Sequence, residues 1–201
     1  MMLAIDFYFD FSSPYGYFAS TQIDALARDL GRDVAWHPIL LGPMFKITGT
    51  TPLTEIPLKG AYSRHDMLRT AQIYNIPFNE PSPFPINTVT AARTMLHAQD
   101  TQPDRAIPFA QRALHAYYVE NIDISQPEQI VRIAGESGLD IEALRQALSS
   151  DQLKLRLRTE NDAAIARGVF GSPFIILDDE PFWGFDRLDM IRRWASRVAV
   201  P

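Results

Sequence analysis

The feature that most constrains the fold is a strand pattern that runs directly into the start of a helix. In residues 3–9 every second side chain is large and apolar, which is the period of a β-strand. Ser12-Ser13-Pro14 then has the composition of a helix N-terminus, with capping hydroxyls and a proline suited to the first turn. Because free N–H groups and the helix dipole favour a negative atom at such a terminus, we expect a small anion to bind there.

The following segments predict an α/β protein with a long helical interruption. Helical spacing over residues 14–30 predicts a helix of about four turns. Residues 33–40 predict a second strand, and a strand-helix-strand order implies that the two strands are parallel. Residues 42–57 predict an irregular connection because Gly, Pro and Thr are frequent there. Helices are then predicted over residues 59–74, 88–98, 104–120 and 151–167, with further helices after caps at Ser125 and Asp140, and residues 75–85 form a proline-rich loop.

Strand patterns return only near the end of the chain. Residues 173–177 and 182–183 flank a turn and predict a hairpin, and Asp186 is placed to cap a last helix. A ligand cleft between the sheet and the helical part is the default binding site. The predicted domains are a sheet domain of residues 1–44 and 168–201, and a linker with an all-helical insertion over residues 45–167.

Composition narrows the chemistry of the expected anion site. The 201 residues contain no cysteine, so redox catalysis by the protein's own sulfur is excluded and the bound anion must come from a ligand. A net charge of −5 with scattered basic residues argues against nucleic-acid binding. The four histidines are too dispersed for a metal motif. No segment resembles a membrane span or a signal peptide, so a soluble cytoplasmic protein is expected.

Four motifs follow one another along the chain: DFYFDFSSPY at 6–15, PLKGAY at 57–62, GVFGSP at 168–173 and FWGFDRL at 182–188. They resemble those of 2-hydroxychromene-2-carboxylate isomerases, which are related to kappa-class glutathione transferases in the DsbA-like branch of the thioredoxin fold. The motifs occur in the family order and cover essentially the whole chain. The resemblance implies a thioredoxin-like fold, reduced glutathione as the cofactor, a small aromatic carboxylate as the substrate and a homodimer.

The resemblance assigns roles at the helix junction and at the second strand entry. Ser13 matches the family serine whose hydroxyl bonds the glutathione sulfur, whereas its local sequence alone favours a simple N-cap. From the local sequence Ser12 is an equally good candidate for this role, and only the alignment with the family motif favours Ser13. Pro173 matches a cis proline that lets the backbone of Ser172 pair with the cofactor peptide. From the residues alone, Gly171-Ser172-Pro173 could equally be an ordinary strand-entry turn.

Five further residues are cofactor ligands by resemblance only. Asp186 and Arg187 match the segment that holds the γ-glutamyl end of glutathione, although Asp186 could equally be a helix cap. Lys59 matches a lysine that contacts the glycine carboxylate, although isolated lysines are usually only solvated. Thr50 stands where the family has asparagine, which puts one polar contact in doubt. Phe185 replaces a serine of kappa transferases, so a contact there would have to be made by the backbone.

Several aromatic residues are candidates for a substrate pocket. Phe45, Phe84, Tyr117 and Tyr118 could line it, although aromatic residues at helical spacing are more often part of the core. The leading hypothesis is a glutathione-dependent isomerase that acts on 2-hydroxychromene-2-carboxylate and its trans-o-hydroxybenzylidenepyruvate by reversible thiolate addition. The alternatives are a kappa-like transferase or reductase, which would consume glutathione, and a cysteine-free thioredoxin-like module that binds peptides without turnover.

Overall fold

A computed structural model describes residues 4–198, and in that range four strands form one mixed sheet in the order β2-β1-β3-β4. The strands are β1 Ile5–Phe9, β2 Val34–Pro38, β3 Phe174–Leu177 and β4 Glu180–Trp183. β1 pairs in parallel with β2 and antiparallel with β3, and β3 and β4 form an antiparallel hairpin. The parallel pair and the hairpin confirm two of the predictions, while Leu3 lies outside the described residues.

Helices occupy most of the sequence between β1 and β2 and between β2 and β3, and one further helix follows β4. No helix within residues 4–198 is long and apolar enough to cross a membrane. The helices are α1 Pro14–Ser20, α2 Ile23–Leu30, α3 Leu41–Thr48, α4 Lys59–Tyr74, α5 Val89–Thr101, α6 Pro103–Tyr118, α7 Pro127–Glu136, α8 Ile141–Ser149, α9 Asp151–Ala166 and α10 Leu188–Val198, with 3-10 turns at Leu53–Glu55 and Phe185–Arg187.

The prediction of one continuous helix over residues 14–30 is wrong, because the helix is interrupted after Ser20 and α2 begins at Ile23. The Ser20 hydroxyl donates to the Tyr17 carbonyl at 2.6 Å, and the Thr21 hydroxyl donates to the Phe18 carbonyl at 2.7 Å. These side chains compete with backbone N–H groups for helical carbonyls, which is why such residues weaken helix interiors. α1 is therefore a short helix, and Ser13 lies one residue before it.

The prediction of an irregular connection over residues 42–57 is also wrong, since α3 occupies its first half. Pro43 is tolerated because it lies in the first turn, where N–H groups have no helical partner. The first turn is anchored by Asp10, whose Oδ2 accepts a hydrogen bond from the Leu41 N–H at 2.8 Å. Gly49 ends the helix with φ 67°. α3 crosses the predicted domain boundary at residues 44 and 45, and the division into two domains stays a prediction.

Of the caps predicted at Ser125, Asp140 and Asp186, two differ in the structure. Asp140 caps α8 as predicted, accepting from the Ala143 N–H at 3.1 Å. Ser125 does not cap α7, because its hydroxyl donates to Asp123 at 2.6 Å and Gln126 holds the N-cap position. Asp186 lies inside a 3-10 turn that precedes α10, so it is not the cap of that helix.

The two faces of the sheet pack against different helices. Phe7 and Phe9 of β1 are completely buried in the main core with Trp36 of β2 and residues of α1 and α6. The opposite face places Tyr8 in a smaller cluster with Ala164 of α9. The C-terminal end of β1 therefore emerges between these layers, next to the start of α1.

A histidine joins α9 to this second face. His37 Nε2 lies 2.9 Å from Asp6 Oδ1 and its Nδ1 lies 2.8 Å from Glu160 Oε1, while Arg167 and Arg156 pair with the outer oxygens of the two carboxylates. Burial lowers the pKa of His37, but the hydrogen bonds to Glu160 and Asp6 outweigh it and leave the pKa raised. Both ring nitrogens can donate only when the imidazole is protonated.

We expect the stability of the protein to depend on the protonation of His37. Because its pKa is higher in the folded than in the unfolded chain, its contribution is full below the unfolded value of about 6.5 and is lost as the pH rises through the folded pKa. Thermal unfolding of the wild type and of His37→Gln across this range measures the effect. The variant should lack the decline, and a decline of equal size in both proteins would contradict the role of His37.

Candidate functional site

The site is built around the Ser13 hydroxyl at the N-terminus of α1. Ser13 has extended backbone angles, φ −94° and ψ 113°, and its Oγ accepts a hydrogen bond from the Gly16 N–H at 3.0 Å. The same hydroxyl donates to the Ser172 carbonyl at 2.9 Å, and the residue is only 5% exposed. The N-cap reading of the sequence is therefore correct, and the cap also binds a segment 159 residues away.

The partner segment contains a cis peptide bond between Ser172 and Pro173, as the resemblance implies. The Ser172 hydroxyl accepts a hydrogen bond from the Asp10 N–H at 3.0 Å, so both ends of this residue are attached to the loop before α1. The Pro173 carbonyl accepts from the Gly184 N–H at 3.1 Å. The two loops and the end of β4 are thus joined into one surface.

Asp10 is the buried anchor below this surface. The residue is 3% exposed; its Oδ1 accepts from the Ser12 N–H and hydroxyl at 2.8 and 3.0 Å and from the Thr88 hydroxyl at 2.8 Å, and its Oδ2 accepts from Leu41. Burial raises the pKa of this carboxyl, and the hydrogen bonds from Ser12, Leu41 and Thr88 act in the opposite direction. Asp10 therefore holds together the α1 loop and the starts of α3 and α5.

The hydroxyls of the two candidate serines, Ser12 and Ser13, have different hydrogen-bond partners. The Ser12 hydroxyl is turned inward to Asp10, whereas the Ser13 hydroxyl lies between α1 and the cis peptide. Within residues 4–198, the N–H groups of Tyr15 and Ser172 have no hydrogen-bond partner. These donors flank the Ser13–Ser172 hydrogen bond, so an electron-rich atom at this surface could be bound by more than one N–H or O–H group.

Known proteins are similar to this chain over nearly its whole length. The family model described as a DSBA-like thioredoxin domain matches residues 4–194. This chain belongs to the DSBA-like thioredoxin domain family. A 2-hydroxychromene-2-carboxylate isomerase of Sphingobium xenophagum is 32% identical, with 96% of this chain and 98% of the relative covered. Glutathione S-transferase kappa 2 of Caenorhabditis elegans is 28% identical, with coverages of 93% and 89%.

A solved structure of a 2-hydroxychromene-2-carboxylate isomerase superposes on this DSBA-like chain with a TM-score of 0.87 at 29% identity. The superposition covers 98% of this chain and 96% of that chain. The predicted thioredoxin-like fold with its helical interruption is therefore confirmed, and so is the resemblance to the isomerase family.

In this member of the DSBA-like family, the segment around Asp186 adjoins the Ser13 surface through the backbone. The Gly184 N–H donates a hydrogen bond to the Pro173 carbonyl. Gly184 has φ 115°, and a Cβ at this position would lie 2.5 Å from Asp186 Oδ1, so a glycine is required here. Asp186 and Arg187 form an ion pair at 3.2 Å; Asp186 is exposed and Arg187 is half-buried. Phe185 is buried, so only its backbone can contact a ligand.

Lys59 and Thr50 lie on neighbouring elements without a hydrogen bond or ion pair to the Ser13 surface. Lys59 is exposed in the first turn of α4, and the Tyr15 hydroxyl joins α1 to the middle of α4 by donating to Asp66 at 2.5 Å. Thr50 is exposed, and its hydroxyl lies 2.8 Å from the Thr48 hydroxyl. Their predicted cofactor contacts stay predictions.

The four aromatic candidates for the substrate pocket differ in their exposure to solvent. Tyr117 and Tyr118 have no exposed surface, and Tyr118 stacks on Tyr17 at 4.9 Å, so these two belong to the core as the alternative reading held. Phe45 and Phe84 are half-buried, and Phe84 packs against the main core. Within residues 4–198, no group of three or more His, Asp or Glu side chains could hold a metal ion.

The sequence reasoning missed Asp10 and Gly16. Asp10 lies between Phe9 and Phe11, and an acid at the end of an apolar strand is a usable signal because carboxylates are seldom buried unless paired. Gly16 is needed for close approach, since a Cβ there would lie 2.7 Å from the Ser172 hydroxyl and 3.1 Å from the Ser13 Cβ.

Gly16→Ala is expected to destabilise the protein by about 1–3 kcal/mol, because the added methyl displaces the Ser172 hydroxyl from Asp10. Gly42→Ala in α3 is the matched control, since a Cβ there meets no atom within 4 Å. In that helix alanine should be neutral or stabilising by up to about 1 kcal/mol. Denaturant unfolding of both variants measures the difference, and equal stabilities would contradict the close contact.

Proposed function

We propose that this protein is a glutathione-dependent isomerase that interconverts 2-hydroxychromene-2-carboxylate and trans-o-hydroxybenzylidenepyruvate. The observation that carries the proposal is the Ser13 hydroxyl, held at the N-terminus of α1 against the cis Ser172–Pro173 peptide. The similarity to 2-hydroxychromene-2-carboxylate isomerases over nearly the full length supports the reaction. The kappa-class relatives support glutathione as the source of the thiol that this sequence lacks.

The groups at the surface fit glutathione, which is a tripeptide with a thiol, an ammonium group and two carboxylates. The N–H of Ser172, beside the cis proline, is available to pair with a peptide carbonyl. Asp186 would hold the ammonium group, with Arg187 and the Phe185 backbone beside it, and Lys59 would hold the glycine carboxylate. Lys59 has no carboxylate partner within residues 4–198, and it lies at the positive end of α4, where a bound anion is favourable.

When bound, glutathione supplies a nucleophilic thiolate for reversible addition to the conjugated double bond of the substrate. The role of Ser13 is to stabilise negative charge on sulfur. Its hydroxyl donates to the Ser172 carbonyl in this structure, and rotation about the Cβ–Oγ bond would redirect the proton to a sulfur while Oγ still accepts from Gly16. The exchange is favourable because hydrogen bonds to charged acceptors are stronger than neutral ones.

A kappa-like glutathione transferase is the second candidate, since two kappa-class proteins of Caenorhabditis elegans are similar over 93% of this chain. The stoichiometry of glutathione separates the two. Conversion of 2-hydroxychromene-2-carboxylate should require glutathione, and glutathione should be recovered unchanged after many turnovers. Loss of one glutathione per product would favour the transferase, and conversion at the same rate without glutathione would contradict both.

A further inference from the structure

Large apolar side chains are exposed on one segment of the surface. Within residues 4–198, seven of the twelve large hydrophobic side chains that are exposed lie between residues 47 and 74, on α4, at its start and on the two elements before it. They are Ile47, Leu53, Leu58, Tyr62, Leu68, Ile73 and Tyr74. An exposed apolar surface of this kind is typical of protein–protein contacts.

The helix α4 has apolar residues on two opposite faces. Met67 and Ala71, one turn apart, are buried in the main core. On the opposite side a second row runs along α4 at helical spacing, and Tyr62 and Ile73 in that row are 64% and 68% exposed. We call this row the outer stripe of α4; it consists of Leu58, Tyr62, His65, Arg69 and Ile73. A helix with two apolar faces is typical of a position between two layers, and the part of the chain that the structure describes supplies only the inner one.

Leu58 lies at the N-terminal end of the outer stripe and is 94% exposed. Its backbone has φ 68° and ψ −48°, a conformation that is unfavourable for a leucine. A hydrogen bond fixes this turn, since the Lys59 N–H donates to the Pro57 carbonyl at 2.8 Å. The chain therefore holds an apolar side chain in solvent in a strained conformation, which is expected where that side chain contacts another molecule.

The charged groups beside the outer stripe are paired within the same chain. Arg69 forms an ion pair with Asp66, and it donates to the Tyr62 hydroxyl at 3.1 Å with its guanidinium 5.6 Å from the centre of the Tyr62 ring. Arg64 forms an ion pair with Glu80. Two copies of this surface can therefore approach each other without net repulsion between these groups. Tyrosine and arginine are also enriched in interface cores.

The apolar surface is large enough for a stable pair. With about 200 Å² for a fully exposed large side chain, the four on the outer stripe or beside it expose roughly 500 Å². These four are Leu58, Tyr62, Leu68 and Ile73. An interface of standard size buries about 800 Å² per partner, of which somewhat more than half is apolar. The outer stripe and its flank supply that apolar share.

We propose that the outer stripe of α4 is the interface through which two copies of this chain pair, with the two helices antiparallel across a two-fold axis. A second copy suits this surface because the stripe is nearly symmetrical along its length. Its two ends are apolar, at Leu58 and Ile73, and Tyr62 and Arg69 lie inside them. An antiparallel pair therefore brings apolar ends together and Tyr62 close to Arg69 of the partner subunit. The resemblance implies a homodimer but assigns no surface to it.

The mass of the 201-residue chain in solution, measured by sedimentation velocity over a range of concentrations, tests the interface. The wild type should have twice the 22.7 kDa of one chain. Ile73→Lys should raise the dissociation constant of the dimer at least about 100-fold, because an unpaired charge then enters the apolar contact once from each copy. Leu155→Lys places the same charge at a leucine of α9 that is 62% exposed, and this matched control should remain a dimer.

A disulfide measurement locates the contact. Because the chain contains no cysteine, a single introduced cysteine can form a protein disulfide only with a second copy. The stripe is sampled by four single variants, Tyr62→Cys, His65→Cys, Arg69→Cys and Ile73→Cys. The position nearest the two-fold axis should form covalent dimers under mild oxidation, at a protein concentration where Leu155→Cys does not.

Several results would overturn the interface. A wild type with the mass of one chain would do so, even if the stripe binds a different protein. A dimer that Ile73→Lys leaves intact, or that Leu155→Lys dissociates equally, would also do so. If Ile73→Lys does not fold, a dimer without disulfide formation along the stripe would assign the pairing to another surface.

The interface does not depend on the proposed function, and the two fail separately. A dimer paired through the outer stripe but without glutathione-dependent isomerisation would keep the interface and remove the reaction. A monomer that isomerises the substrate with glutathione would keep the reaction and remove the interface.

Discussion

Ser13→Ala is expected to lower kcat/KM for glutathione-dependent isomerisation by about 10- to 100-fold, the range for loss of one hydrogen bond to a charged group. The variant keeps the helix terminus but loses the side-chain hydroxyl that is hydrogen-bonded to both the Gly16 N–H of α1 and the Ser172 carbonyl. The pKa of the thiol of bound glutathione should rise at the same time, because the thiolate loses a donor while the neutral thiol loses little. Steady-state kinetics and an ultraviolet titration of bound thiolate measure the two effects.

Ser12→Ala is the matched control for this variant. It removes the same hydroxyl from the adjacent residue, but that hydroxyl donates to Asp10 at 3.0 Å instead of facing the cis peptide. We expect a modest loss of stability with an unchanged thiol pKa. Full turnover with an unchanged thiol pKa in Ser13→Ala, or an equal loss in both variants, would contradict the assignment of Ser13.

Asp10→Ala is expected to destabilise the protein by about 3–5 kcal/mol, which corresponds to a Tm lowered by roughly 6–20 °C. The substitution leaves the N–H groups of Ser12 and Leu41 and the hydroxyl of Thr88 without their acceptor. Water cannot easily replace that acceptor, because Asp10 is only 3% exposed. Thermal and denaturant unfolding measure the loss.

Two further variants show whether the effect comes from the buried acceptor. Asp10→Asn keeps one acceptor oxygen and should cost less than alanine, although its amide group cannot accept from Leu41 and Ser12 together. Asp178→Ala removes an exposed carboxylate paired with Arg32 and should change stability by less than about 1 kcal/mol. If Asp10→Ala costs no more than Asp178→Ala, Asp10 is not the anchor of the three loops.

Local patterns explain which parts of the fold could be predicted. The alternation that gives β1 and the turn that gives the β3–β4 hairpin are encoded within a few residues, and both elements are present. The break after α1 depends on whether the hydroxyls of Ser20 and Thr21 bond their own helix, which the apolar spacing does not show. α3 was missed because its first turn is anchored by an acid 31 residues earlier in the chain.

The site follows the same rule. Ser13 could be found as an N-cap from its neighbours, but its role at a surface depends on a carbonyl 159 residues away, which only the family resemblance indicated. Asp10 acts through Thr88, which is 78 residues away. Long-range contacts of this kind leave no periodic trace in the sequence, so a structure is needed to find them.

Thermal unfolding with saturating reduced glutathione, compared with an analogue in which a methyl group replaces the thiol, tests the central claim most directly. Glutathione at about 100 times its dissociation constant should add about 2.7 kcal/mol, or roughly 5–10 °C for a chain of this size. The thiol-free analogue should give a smaller shift, and in Ser13→Ala the two shifts should become similar. No shift with glutathione, or equal shifts for both ligands in the wild type, would contradict a glutathione site with its sulfur at Ser13.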